Sequence, residues 1–261
     1  MDDEISSAAN ESVAMSLLEF QSEVTQIALT ALEPYGFVLA GSGAIREHGL
    51  ITRPTEDIDL FSVLELQAAL PAALDRLVEV LDRHRFDVHT VRRSDSFATV
   101  HVCRGDLILR LDLGFDYRAH MPVRLGVGLA LDRKDAVGAK VAALFSRHEA
   151  RDYLDVDAIR QSGIFADDEL MGLGESIDAG FDRNWFSKVL RLVEHVPYAA
   201  VKHYGLSRDE FTNVQGRLVL WADAIVPRHV PQSRRYIINR LENRSNSSPT
   251  SDTHKPKRYQ R

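Results

Sequence analysis

Two aspartates separated by a single residue, Asp57 and Asp59, lie near the end of the stretch FVLAGSGAIREHGLITRPTEDIDLF, residues 37–61. Side chains two apart on a β-strand share a face. A strand over 57–63 would therefore place both carboxylates together and direct Ile58 and Leu60 into a core. Two adjacent ionised carboxylates repel each other unless a cation binds between them, and hard oxygen ligands suit Mg²⁺ or Mn²⁺. The pair predicts a metal site, although an isolated pair is more often a solvent-facing strand end.

A third acid, Asp112, strengthens the metal interpretation. It lies in the apolar run LILRLDLGFD, where Leu111 and Leu113 would face away from it. Three carboxylates can hold two metal ions about 3.5–4 Å apart, an arrangement that serves phosphoryl displacement. Asp112 would also be placed to take a proton from an attacking hydroxyl. Asp116, at the end of this strand, is the alternative third acid.

The turn Gly41-Ser42-Gly43 follows a short apolar run and precedes a short helix. Backbone N–H groups at such a helix start can bind phosphate oxygens, and the Ser42 hydroxyl can add a donor. A dinucleotide-binding loop would need a third glycine where Arg46 stands, and no GxxxxGK[ST] motif occurs. A phosphate-binding turn beside a metal-binding acid pair is what nucleotidyl transfer from a triphosphate requires. Ser42 and Gly43 both remain candidates for the contact.

The segment DRKDAVGAKVAALFSRHEARDYLDV contributes a lysine and two further acids. Lys140 could neutralise triphosphate charge as a point cation, although a lone lysine on an apolar helix face is more often snorkelling. Asp152 and Asp155 are three residues apart and so share a helical face. Without further context they would form a solvated face paired with Arg147 or Arg151.

The remaining pattern indicates which elements position these residues. Helical spacing over 11–33 and 64–83, with strands over 37–40, 57–63, 86–91, 97–102 and 107–115 and a possible strand over 127–131, predicts a strand-rich α/β-type half. From Arg133 onward the apolar residues recur at helical period. We expect a core at 1–131, a mainly helical domain at 132–242, and a disordered polar tail at 243–261.

Composition limits the functional classes. The net charge is −6, which argues against a protein that coats nucleic acid non-specifically. Any such contact would come from local patches at Arg83-His84-Arg85 and Arg92-Arg93. No run approaches the roughly 20 apolar residues that span a bilayer, and one cysteine excludes internal disulfides. These features predict a cytoplasmic protein that does not contact a membrane.

Together the motifs resemble those of the AbiEii/AbiGii nucleotidyltransferase toxin family, which includes the mycobacterial MenT toxins and belongs to the DNA polymerase β-like nucleotidyltransferase superfamily. The resemblance covers about residues 37–160. It rests on the GS turn, the run Arg53-Pro54-Thr55-Glu56-Asp57-Ile58-Asp59-Leu60, the later Asp112, and Lys140 followed by the Arg151-Asp152 run. The polar insert Arg46-Glu47-His48 is a departure from the family pattern.

The resemblance implies an α+β fold, with a mixed sheet flanked by helices and followed by a helical domain. It implies a Mg²⁺-dependent (or Mn²⁺-dependent) enzyme with the metal ligands Asp57, Asp59 and Asp112. Lys140 would join them as a catalytic residue. The implied nucleotide-binding residues are Gly41, Ser42, Gly43, Arg53, Lys140 and Asp152.

The implied reaction moves a nucleoside monophosphate from an NTP to an acceptor and releases pyrophosphate. The resemblance points to the tRNA 3′ end as the acceptor and to a cognate antitoxin as a partner. Two alternatives stay open, namely transfer to a small aminoglycoside-like molecule and a nucleotide-binding module without catalysis.

Overall fold

The structure, a computed structural model, describes residues 2–226 and the side chains of residues 17–226. The predicted tail at 243–261 and the end of the predicted helical domain lie outside the described residues. The division into domains at residue 131 therefore stays a prediction.

Helices and strands follow the predicted order with shifted bounds. The first helix begins at Asp2, nine residues before the predicted start at residue 11, and the predicted helix over 64–83 is a 3₁₀ segment followed by a shorter α-helix. The helices are α1 (Asp2–Leu32), α2 (Gly41–Glu47), α3 (Leu70–Arg83), α4 (Arg133–Ser146), α5 (Ala150–Gln161), α6 (Asp167–Ile177), α7 (Arg183–Leu192) and α8 (Arg208–Ile225). The strands are β1 (Val38–Leu39), β2 (Asp57–Ser62), β3 (Asp87–Arg93), β4 (Ala98–Arg104), β5 (Leu107–Phe115), β6 (Val123–Leu125) and β7 (Gly128–Ala130).

In the part of the chain that the structure describes, the strands form one seven-stranded mixed sheet in the order β3-β4-β5-β2-β1-β7-β6. β2 pairs with β5 in parallel and with β1 antiparallel, while β1 and β7 are parallel. This confirms the predicted α+β class with a mixed sheet flanked by helices. The two acid-bearing strands are neighbours, because β5 returns beside β2 after the β3–β4 hairpin.

The sheet has a buried apolar side that follows from period-2 alternation. Ile58 and Leu60 of β2, and Leu111 and Leu113 of β5, are each at most 1% exposed. Helices α1 and α3 pack against each other and contribute to the same core. In α3 the residues at helical spacing, Leu70, Ala73, Leu74, Leu77 and Leu81, are all buried. This packing fixes which way the intervening aspartates must face.

The helices after the sheet bring a second set of side chains to the acid-bearing strands. Helix α4 begins at the N-cap Asp132, whose carboxylate accepts a hydrogen bond from the Lys134 backbone N–H. It contacts α2, α5 and α6, so it lies beside the helix that begins at the GS turn. Farther on, Phe186 of α7 meets Trp221 of α8 edge to face, with ring centroids 5.4 Å apart. The helical part is thereby held by its own apolar contacts.

Candidate active site

The three predicted metal ligands lie together. In the parallel β2–β5 register, Asp59 is opposite Asp112 and Asp57 is opposite Arg110. One carboxylate oxygen from each of Asp57, Asp59 and Asp112 lies within 4.8 Å of the others. Asp116 lines the same cleft but does not belong to this group. The group of three is therefore the one predicted first from the sequence.

Gly41 allows this geometry because its backbone runs directly against an acid. Its φ is +56°, a left-handed conformation, and a β-carbon there would lie 1.8 Å from Oδ2 of Asp59. A backbone hydrogen bond also joins the turn to Asp59, because the Ala40 N–H donates to the Asp59 carbonyl oxygen at 2.8 Å. Glycine is required at position 41 for both steric and conformational reasons.

The carboxyl of Asp59 is electrostatically strained. Burial and the charges of Asp57 and Asp112 raise its pKa to about 6, and the positive charges of Lys140 and Arg151 only partly oppose this. A divalent cation between the carboxylates would remove that repulsion. The donor set, hard oxygens only and close enough to share an ion, fits Mg²⁺ or Mn²⁺.

Asp112 is the most constrained of the three acids. Its Oδ1 accepts hydrogen bonds from the Thr99 hydroxyl at 2.8 Å and from Arg110 Nε at 3.1 Å. Its Oδ2 lies 2.7 Å from Arg110 Nη2. Arg110 was not singled out in the sequence. The period-2 rule does place it on the same strand face as Asp112, and that was the available signal.

Ser42, Arg53, Lys140 and Asp155 form a buried polar network behind the acids. The Ser42 hydroxyl donates to Asp155 Oδ2 at 3.0 Å and accepts from Arg53 Nη2 and Lys140 Nζ, at 2.9 and 3.1 Å. A hydroxyl has one donor and two acceptor positions, so these three bonds use all of them. In this geometry any contact of residue 42 with a phosphate falls to its backbone N–H.

The Arg53 guanidinium hydrogen-bonds to other groups of the protein. Its Nε and Nη2 donate to the two oxygens of Asp155 at 2.6 and 2.7 Å, and Nη1 donates to the Pro54 carbonyl oxygen. The guanidinium carbon also lies 4.9 Å from the centre of the Tyr204 ring. The predicted nucleotide contact of Arg53 remains a prediction, and the observed contacts give it the role of securing the loop before β2.

Lys140 is also surrounded by partners. Its ammonium lies 3.2 Å from Asp152 Oδ1, 2.9 Å from Asp155 Oδ2 and 3.1 Å from the Ser42 hydroxyl. Only 4% of the residue is exposed, although it lines the cleft. The alternative of a solvated or snorkelling lysine is therefore wrong for this chain. Its charge is placed under the cleft wall, within the field of Asp59.

Asp152 and Asp155 are fully buried, so the solvated face considered from the sequence is also wrong. Burial alone would raise the pKa of Asp152, but the hydrogen bond from Arg147 and the charge of Lys140 outweigh it and keep that pKa below its usual value. Asp152 also forms a capping box with Glu149 at the start of α5. The sequence allowed Asp152 either to orient Lys140 or to contact the nucleotide, and the geometry has it contacting Lys140.

These side chains border a cleft of about 560 Å³. All three acids line it, together with Gly41, Ser42 and the cations Arg110, Lys140, Arg147 and Arg151. Gly43 does not, since its missing β-carbon would point at Leu39. Of the predicted site residues, Arg53 and Asp152 also lie behind the wall rather than on it. The volume is within the usual range for small-molecule sites.

A second cleft of about 530 Å³ adjoins the first at Asp57. Its lining is Glu56, Asp57, Arg110, Glu149, Ala150, Arg151 and Tyr204. Asp57, Arg110 and Arg151 border both clefts. A reacting group in either cleft would therefore be next to Asp57.

A family model for the AbiEii nucleotidyl transferase toxin of type IV toxin–antitoxin systems matches residues 28–184, more than half of the chain. The chain belongs to the AbiEii nucleotidyltransferase toxin family. The matched range includes every predicted site residue. The resemblance read from the motifs is thereby confirmed, and AbiEii membership implies a nucleoside triphosphate substrate and an antitoxin partner.

Solved structures agree with the AbiEii assignment at the level of fold. JHP933 from Helicobacter pylori has a TM-score of 0.57 at 18% identity, over 87% of this chain and 98% of that one. MenT4, a nucleotidyltransferase toxin from Mycobacterium tuberculosis, has a TM-score of 0.52 at 15% identity, over 85% and 90%. A putative nucleotidyltransferase from H. pylori gives 0.52 at 16% identity, over 78% and 92%. No curated protein sequence matches this chain. Along residues 2–226, each helix is too short or too polar to cross a membrane.

Proposed function

We propose that this AbiEii-family chain transfers a nucleoside monophosphate from an NTP to the 3′ end of tRNA, releases pyrophosphate, and acts in the cytoplasm as the toxin of a toxin–antitoxin pair. The observation that carries the chemistry is the group of three carboxylates on adjacent parallel strands, which meet within 4.8 Å at the wall of a nucleotide-sized cleft. The tRNA acceptor is taken from the family resemblance.

Asp57, Asp59 and Asp112 would hold Mg²⁺ or Mn²⁺. When bound, a divalent cation neutralises phosphate charge and makes an attacking hydroxyl more acidic. The triphosphate would lie in the first cleft, where Lys140, Arg147 and Arg151 supply positive charge. Four or so negative charges on the donor need such compensation in a partly buried cleft.

In the transfer step, the acceptor oxygen forms a bond to the α-phosphorus while the bond from that phosphorus to the bridging oxygen of the β-phosphate breaks. The electron pair of the broken bond leaves with pyrophosphate. The acceptor proton passes to a carboxylate oxygen, for which we propose Asp112. Gly41 and the backbone N–H of Ser42 lie at the start of α2, where they would orient the donor phosphates.

RNA contact would use local basic patches, given the net charge of −6. Arg83, Arg85, Arg92 and Arg93 are exposed. Arg92 and Arg93 lie on the edge strand β3, which β4 and β5 separate from β2. We propose this edge as a contact for the body of the RNA rather than for its reacting end.

The test is to incubate the full chain with Mg²⁺, total tRNA and each α-³²P-labelled NTP in turn. Asp57→Asn removes a proposed metal ligand, and Asp106→Asn, in the exposed turn between β4 and β5, is its control. Label on tRNA with the wild type and the control, but not with Asp57→Asn, is the expected result. Full labelling by Asp57→Asn would overturn the catalytic assignment.

One observation favours a second acceptor. The second cleft carries Glu56, Asp57 and Glu149 against two arginines, and an acidic acceptor pocket suits a polycation such as an aminoglycoside. If label goes to such a molecule and not to tRNA, the chemistry proposed here stands and the tRNA acceptor is replaced.

A further inference from the structure

Arg110 binds Asp112, one of the three proposed metal ligands. Its Nε lies 3.1 Å from Asp112 Oδ1, and its Nη2 lies 2.7 Å from Asp112 Oδ2. A carboxylate offers about four acceptor positions, and Thr99 takes a third one at Oδ1. One position, on Oδ2, is left, so a cation that binds there lies beside the Arg110 guanidinium, and a cation that uses both oxygens must replace a contact of Arg110.

The two partners differ sharply in exposure. The Asp112 side chain is 9% exposed, while that of Arg110 is 51% exposed. The carboxylate is thus fixed in the wall, and the guanidinium can leave it for solvent at little cost in burial. A half-exposed ion pair contributes little net free energy. Another cation can therefore replace the Arg110 guanidinium at Asp112.

The position of Arg110 defines where the freed guanidinium would go. Its Cα is paired in register with Asp57, and the side chain borders both clefts. A guanidinium there is next to any phosphate held at the acid pair, and its planar fork matches phosphate oxygens as well as it matches a carboxylate.

We propose that Arg110 competes with the divalent metal for Asp112, and that once displaced it binds a phosphate group of the substrate. Before displacement it offsets the mutual repulsion of the three carboxylates. After displacement its guanidinium donates hydrogen bonds to a phosphate of either the NTP or the acceptor strand. This inference rests on the proposed function, because it requires a metal at Asp57, Asp59 and Asp112.

The first experiment measures Mn²⁺ affinity by isothermal titration of the full chain. Arg110→Gln is expected to bind Mn²⁺ about three- to ten-fold more tightly than the wild type, because a competing cation is gone. Arg110→Lys keeps the positive charge but loses the bidentate contact with Asp112, so we expect an Mn²⁺ affinity between those of the wild type and Arg110→Gln. Arg104→Gln removes a similarly exposed arginine, whose partner is Glu23, and should leave the affinity unchanged. Equal or weaker binding by Arg110→Gln would overturn the competition.

The second experiment measures transfer at saturating Mn²⁺. Arg110→Gln is expected to be slower despite its tighter metal binding. A raised KM for the NTP assigns the donor phosphate, and a raised KM for the acceptor assigns the acceptor phosphate. Wild-type rates and KM values in the variant would contradict the phosphate contact.

Asp57→Asn distinguishes a failure of the proposed metal site from a failure of the proposal for Arg110. If the wild type binds Mn²⁺ and Asp57→Asn does not, the metal site of the proposed function stands whatever Arg110 does. If both bind Mn²⁺ alike, the proposed function fails at the metal site, and the inference on Arg110 fails with it.

Discussion

Arg53 and Asp155, 102 residues apart in sequence, form a two-point ion pair in the interior with N–O distances of 2.6 and 2.7 Å. The pair joins the loop before β2 to helix α5. Lys140 also binds Asp155, and its charge is balanced by a second buried acid, Asp152. The Ser42 hydroxyl bridges Arg53 and Lys140. The strand that carries the acid pair is therefore tied to the helices that follow the sheet.

We expect Asp155→Asn to lower the free energy of unfolding by about 3–5 kcal/mol, because it leaves Arg53 and Lys140 buried with an uncompensated positive charge. Urea unfolding measures this. Glu79→Gln is the matched control, since Glu79 makes only exposed pairs with Arg76 and Arg83, and it should change stability by less than about 1 kcal/mol. A loss below about 1 kcal/mol in Asp155→Asn would show that the pair is not needed for stability.

The acid pair could be predicted because its information is local. Period-2 alternation around Asp57, Asp59 and Asp112 fixes the strand faces, and the adjacent apolar residues fix the buried side. The burial of Asp155 could not be predicted in this way, because two acids three apart on a helix are usually solvated. Contacts with Arg53, Lys140 and Ser42, all on other elements of the chain, make that burial possible.

Other differences between expectation and structure have similar causes. Strand β6 (Val123–Leu125) has three residues, too few to show an alternation. The saturation of the Lys140 ammonium depends on three partners from two other helices. Sequence spacing reported that Lys140 projects from an apolar face, but it could not report what meets the side chain there.

Gly41→Ala should abolish detectable transfer and destabilise the fold. A β-carbon there would lie 1.8 Å from Asp59 Oδ2, and φ of +56° adds backbone strain of about 1 kcal/mol. Gly49→Ala is the matched control, because φ is +73° and, among the described residues beyond its chain neighbours, no atom lies within 4 Å of the position of an added β-carbon. It should lose only the stability that the backbone strain costs, and it should retain transfer. Equal effects of the two variants on transfer would mean that contact with Asp59 is unimportant.

The stability of the chain should depend on pH through Asp59. Its pKa is about 6 when folded and near 4 when unfolded, so the folded state holds the proton more tightly. The stability contributed by this proton is fully present below about pH 4 and is lost as the pH rises through about 6.

Without added divalent ions, Asp59→Asn should therefore be more stable than the wild type at pH 7.5, by no more than about 3 kcal/mol. The difference should shrink towards zero near pH 4. Urea unfolding of both proteins across this range measures it, and carboxylates that do not interact with Asp59 cancel in the comparison. A difference independent of pH would contradict the shifted pKa. Added Mn²⁺ should raise the Tm of the wild type more than that of the variant.

Thr99 should act on catalysis through Asp112. Its hydroxyl donates to Asp112 Oδ1 at 2.8 Å, and Thr99 is paired in register with Asp112 across β4 and β5. Thr99→Val removes this donor, so that of the two residues that hydrogen-bond the carboxylate only the half-exposed Arg110 still orients it. We expect kcat to fall roughly 3- to 30-fold with the KM for NTP unchanged, since a misoriented carboxylate affects the transfer step and not ground-state binding. Thr99→Ser keeps the hydroxyl and should retain most of the rate. If Thr99→Val and Thr99→Ser are equally slow, the loss comes from packing in β4 and not from the orientation of Asp112.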